Sequence, residues 1–173
     1  MYWKIFLNFI LIVFLAILQL SFIGGLPSLI NKFNLILVTL VFILMLKNFK
    51  MALWWAIGFG WFLDIYSFSI FGVYLISLFL TVLIINFLLV NFFTNRSLYS
   101  FLAITFLIFV IYNIIFYLIF YLTGESVEVI FHQNFWLNFG QQLVVNILAA
   151  LFLFYLINFM SKRLKPVFLS RVS

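Results

Sequence analysis

The chain has 173 residues, 69% of them hydrophobic and 7% charged, with a mean hydropathy of +1.37 and a formal net charge of +6. Soluble domains hold roughly 45–50% apolar and about 25% charged residues, so a soluble fold is excluded and the sequence is that of an integral membrane protein. There is no cysteine, which removes disulfides and thiolate chemistry, and one His with three acids leaves little for any other metal centre.

A membrane helix needs ~20 mostly apolar residues, and six candidate spans follow one another along the chain. The first covers residues 5–23. Its apolar run is longer than a signal-peptide core, and Gly24-Gly25 is a poor cleavage site, so it reads as a retained span. Asn8 and Gln19 lie eleven residues apart, about three turns, and share a face. The second span, 33–46, is short and would tilt or cross incompletely. The third, 51–65, and the fourth, 70–93, form one block whose only charge is Asp64. As helix that block would be ~65 Å long, two crossings of a ~30 Å core. The turn between them belongs at residues 66–69, where Ser69 is placed to cap the fourth helix.

The fifth span, 98–122, carries Asn113, Tyr117 and Tyr121 at spacing four. Asn113 reads as interhelical glue and Tyr121 as an interface anchor. The sixth, 135–160, carries Asn138, Gln142 and Asn146 on one face, with Gln141 and Asn158 beside it. Amides facing lipid are costly, so this stripe should face other helices, as interhelical hydrogen bonds or as the lining of a polar cavity.

Orientation follows the basic residues. With the N-terminus inside, Lys4, Lys47, Lys50, Arg96, Lys162, Arg163, Lys165 and Arg171 are cytoplasmic, and of the nine Lys and Arg only Lys32 falls outside. Glu125, Glu128 and His132 then lie in the outer loop. Both termini are expected in the cytoplasm, with Trp3, Trp54 and Trp55 at the inner interface and Trp136 at the outer one. The basic tail would meet anionic lipid headgroups. The charge pattern is one of topology, so nucleic-acid binding is not expected. The fold class expected is all-α, a single six-transmembrane-helix bundle over residues 1–173.

Ala56, Gly60 and Asp64 are also spaced by four. Small residues let a neighbouring helix approach closely and would bury the carboxylate against it. An isolated ionised Asp in hydrocarbon is penalised by ~2.5–3.5 kcal/mol, so Asp64 needs a partner or solvent. Three roles stay open. It can be structural, bonding backbone N–H groups at the 66–69 turn or pairing with Lys32. It can mark a partner or ligand site. It can be a catalytic or proton-relay carboxylate, although no second acid or His lies within a span.

Gln19, the stretch Asn34-Leu35-Ile36-Leu37, the run Gly58-Phe59-Gly60-Trp61-Phe62-Leu63-Asp64 and then Gly72-Val73-Tyr74 together resemble the MreD family of bacterial rod shape-determining membrane proteins. Where that family has Pro-Asp opening the second span, this chain has Phe33-Asn34. The resemblance implies a non-enzymatic scaffold of the elongation complex in the bacterial inner membrane. Its implied partners are an MreC-like single-span protein and, through it, MreB filaments and rod-type peptidoglycan synthases. It implies no cofactor, no metal and no catalytic residue. The partner- or cavity-facing candidates are Ala56, Gly60, Asp64, Gly72, Asn138, Gln142 and Asn146. The family's fold is similar to that of the S components of vitamin transporters. The alternative is therefore a substrate-capture subunit with Trp61, Tyr66, His132, Gln141 and Gln142 around an outer pocket.

Overall fold

A computed structural model describes residues 2–26, 30–46, 48–67, 70–93, 98–123 and 133–163. Among these, all regular structure is helical: α1 (Tyr2–Ile17), α2 (Leu35–Leu46), α3 (Phe49–Tyr66), α4 (Val73–Phe92), α5 (Leu98–Leu122) and α6 (Gln133–Arg163). A π-helical stretch, Leu18–Ile23, prolongs α1, and a single 3₁₀ turn, Ile30–Lys32, precedes α2.

Four segments are long and apolar enough to cross a membrane: Phe6–Ile23, Val73–Phe92, Leu98–Leu122 and Trp136–Leu156. The protein is therefore a multi-pass membrane protein. The other two helices differ from these for separate reasons. α3 carries Lys50 and Asp64 among its 18 residues, which lowers its apolarity. α2 is wholly apolar but has only 12 residues, about 18 Å of helix, too little for a ~30 Å hydrocarbon core.

α2 is the centre of the bundle. It is apolar round most of its circumference, as a helix buried in a bundle must be, and Leu37, Leu40 and Val41 are wholly inaccessible. It packs broadly on α3 and α5 and more narrowly on α1 and α6, while α4 stands behind α3 and α5. Between apolar helices in lipid, attraction comes from close packing rather than from exclusion of water. Phe59 and Phe109 fill that core from α3 and α5. Rings continue the packing across helices: Phe42 of α2 lies against Phe101 of α5, which lies against Phe154 of α6, each pair at 5.1 Å.

The large apolar residues that remain exposed are the natural lipid-facing set. On α4 they run Ile76, Leu80, Ile84 and Phe87, one face at helical spacing. Trp54 is 72% exposed and fits an interfacial belt, but Trp55 does not: it is 6% exposed and packs edge-on against Phe59 in the core. Adjacent positions on a helix point about 100° apart, so both cannot face the interface.

Candidate functional site: two clasped helix starts

Two groups of polar side chains within the spans each meet the N-terminal end of a helix, whereas Ser77, Thr81 and Thr105 bond back to their own helices. The first four N–H groups of any α-helix lack intrahelical acceptors, and in hydrocarbon water is absent to supply them.

The first is the start of α4. Gly72 is its N-cap, with φ of +101° in the left-handed region that favours glycine. α4 thus opens at Val73, three residues beyond the start of the apolar run at 70, because the chain makes its turn at Phe71-Gly72. Ser69, the cap expected from sequence, lies outside the described residues. Asp64, 4% exposed near the end of α3, takes the capping role from the neighbouring helix. Its Oδ1 accepts from Tyr74 N–H at 2.9 Å and its Oδ2 from Leu75 N–H at 3.0 Å. A carboxylate at a helix N-terminus is also favoured by the helix dipole. Gly60, one turn before Asp64, makes the approach possible: a Cβ there would stand 2.4 Å from Leu75 Cα. Ala56, on the same face, is wholly buried. Ala56, Gly60, Asp64 and Gly72 therefore form one joint between α3 and α4, turned into the bundle. Asp64 bonds the opening of α4 rather than the 66–69 turn, and its bonds run to backbone rather than to Lys32.

The second is the start of α2. The segment Lys32–Leu35 is held from two sides by two carboxamides. Asn146 of α6 accepts from Asn34 N–H at 2.7 Å and donates to Lys32 C=O at 2.9 Å. Gln19, in the π-helical stretch, accepts from Leu35 N–H at 2.7 Å and donates to Phe33 C=O at 3.2 Å. The two clasps are the same motif shifted by one residue, Asn146 spanning Lys32 C=O to Asn34 N–H and Gln19 spanning Phe33 C=O to Leu35 N–H. A carboxamide carries, side by side on one planar group, the donor and the acceptor this requires. Asn34 completes the cap, its Oδ1 accepting from Leu37 N–H at 3.0 Å. Non-helical backbone within a membrane persists only where its polar groups are met by protein or water, and these clasps meet that condition.

The other polar candidates of α6 fall around this second site. Asn138, exposed on α6, accepts from the Lys32 ammonium at 2.8 Å, and Gln141 accepts from the same ammonium. Gln142 is half-buried, and its backbone carbonyl takes a second bond from Asn146 at 2.7 Å. Asn113 donates back to Phe109 C=O of its own helix at 2.8 Å, so that bond is not interhelical. Tyr121 is exposed, as an interface residue is. The side chain of Asn158, together with Glu125, Glu128 and His132, lies outside the described residues. Of the residues that build the second site, Lys32 shows in sequence as the basic residue on the wrong side of the charge pattern and as a candidate partner of Asp64, and Gln19 as sharing a face with Asn8 and as part of the family resemblance. Their convergence with Asn146 is a tertiary fact.

The site's chemistry is that of a joint. Asp64 uses both oxygens on backbone N–H groups, and Gln19 and Asn146 use both ends of their amides. Among the described residues, no three His or acidic side chains cluster as a metal site would need. Comparison with known proteins returns nothing: no family model, no curated protein and no solved structure matches the chain.

Proposed function

We propose that the chain is a non-catalytic scaffold of the bacterial cytoplasmic membrane, with six crossings and both termini inside. In this reading it binds the single transmembrane helix of an MreC-like partner within the cell-elongation complex and thereby supports peptidoglycan synthesis and cell shape. The resemblance to the MreD family names the partner. The Gly60–Asp64–Gly72 pattern behind it acts here as one physical joint.

One observation carries the scaffold reading. Around α2 the neighbours run α1, α3, α5, α6, and α1 and α6 do not pack along one another. In a helix otherwise closed off, Leu35, Thr39 and Phe42 stay half-exposed and Leu46 is exposed. Their spacing of four, three and four puts them on one stripe. With α1 and α6 apart, we read that stripe as the floor of a lateral opening between them. Asn8 is half-buried on the same face of α1 as Gln19. An apolar floor with a hydroxyl and an amide beside it suits a transmembrane helix, for which polar side chains add interhelical hydrogen bonds.

Co-expression with the MreC-like protein, followed by detergent pull-down, tests the reading. A complex that survives with the wild-type pair, together with loss of rod shape on depletion of this chain, is expected. No complex and intact rod shape would refute it, and a vitamin co-purifying with the isolated chain would favour the transporter subunit.

A further inference from the structure

Among the described residues, no acidic side chain pairs with Lys32: the one described acid, Asp64, is bonded to the start of α4. The carbonyl of Lys32 is bonded to Asn146, midway along the apolar segment Trp136–Leu156 of α6. Its ammonium reaches toward the start of that segment, where it donates to Asn138 and Gln141. The side chain thus snorkels outward along α6. A lysine within hydrocarbon is penalised by ~2.5–3.5 kcal/mol and normally finds an anion or water. Its partners among the described residues are two neutral amide oxygens, which orient the ammonium without neutralising it.

Gln141 also lines a depression of about 380 Å³ on the outward face of α6, with Trp136, Leu137, Gly140, Val144 and Val145. The lining is almost wholly apolar. Gly140 keeps it open: a Cβ there would meet no atom within 4 Å. The apolar surface continues along α6 through Leu148 and Phe152, both well exposed. One end of this track carries the Lys32 ammonium, held at Gln141, and the rest is an apolar furrow.

We propose that this is a binding site for an anionic phospholipid of the surrounding bilayer. Its phosphate pairs with the Lys32 ammonium between Asn138 and Gln141, and an acyl chain lies in the furrow past Gly140 and Val144. Charge complementarity selects the headgroup, and the furrow selects an amphiphile over a soluble anion. The site is separate from the opening over α2, and its occupancy does not depend on the scaffold reading.

The test is native mass spectrometry of the full chain, delipidated in detergent and titrated with dioleoyl phosphatidylglycerol or, for comparison, dioleoyl phosphatidylcholine. The wild type should retain the anionic lipid in preference. Lys32→Gln should lower its affinity at least about fivefold, as expected for one lost ammonium, and Lys32→Arg should keep it. Gly140→Trp fills the furrow from a position with free space around it, so it should weaken the lipid while the fold and Lys32 remain. The double variant Glu125→Gln/Glu128→Gln should bind as the wild type does. Four results would overturn the proposal: unchanged phosphatidylglycerol binding in both Lys32→Gln and Gly140→Trp, equal affinity for the two lipids, full competition by inorganic phosphate, or tighter binding in the glutamate variant, which would mean that the chain supplies its own counter-charge.

Discussion

Asp64 and Asn146 are both buried, yet they answer different needs, and single substitutions separate them. Asp64 offers two acceptors to two N–H groups. Asp64→Asn keeps one acceptor and turns an NH₂ toward the other donor, while Asp64→Leu removes both. The asparagine variant should therefore lose less stability, and each charge-assisted bond lost should cost about 1.5–3 kcal/mol. Asn146 needs the reverse property, a donor and an acceptor together. Asn146→Asp puts a carboxylate against Lys32 C=O and should be as damaging as Asn146→Leu, although Asp is its isostere. Thermal unfolding in detergent gives both comparisons. Equal loss for Asp64→Asn and Asp64→Leu would assign the role to charge rather than to acceptors.

The joint between α3 and α4 makes a prediction at the scale of the element. A Cβ on Gly60 would fall inside the backbone of Leu75, so Gly60→Ala must push the helices apart and pull Asp64 off its donors. Gly72→Ala instead forces a side chain into left-handed backbone, a local strain of about 1–2 kcal/mol. Gly60→Ala should thus be the worse of the two in unfolding assays, despite adding the same methyl group. Within α2, Leu40→Ala leaves a cavity in a wholly buried position and should cost about 2–5 kcal/mol, whereas Phe87→Ala on the lipid face of α4 should cost little. The extents of these helices were legible in the apolar runs, because hydrocarbon thickness imposes length. The small-residue face and its carboxylate were legible too, because spacing of four is local. What that face meets was not. Tyr74 and Leu75 lie across a turn whose position depends on the left-handed Gly72, and a glycine reads equally as a cap or as a packing position. Asn146 was legible as a residue facing inward, but its partners lie 112 and 114 residues away, beyond any periodicity.

For the whole molecule, a central α2 too short to cross without the clasped stretch before it explains why the chain spends its polar residues as it does. The helix starts within the membrane, and Gln19, Asn34 and Asn146 supply what water would supply elsewhere. The six-span topology with both ends inside is open to direct measurement: a cysteine placed at Ser126 should be labelled by an impermeant maleimide in intact cells, and one at Ser173 should not. The reverse pattern would invert the orientation.

The scaffold account itself rests on the opening between α1 and α6, and photo-crosslinking addresses it directly. A photoreactive side chain in place of Thr39, on the floor of that opening, should capture the transmembrane helix of the MreC-like protein in intact cells. The same probe in place of Val90, exposed on the far face of α4, should not. Capture from Val90 with none from Thr39, under conditions where the two proteins co-purify, would contradict the account.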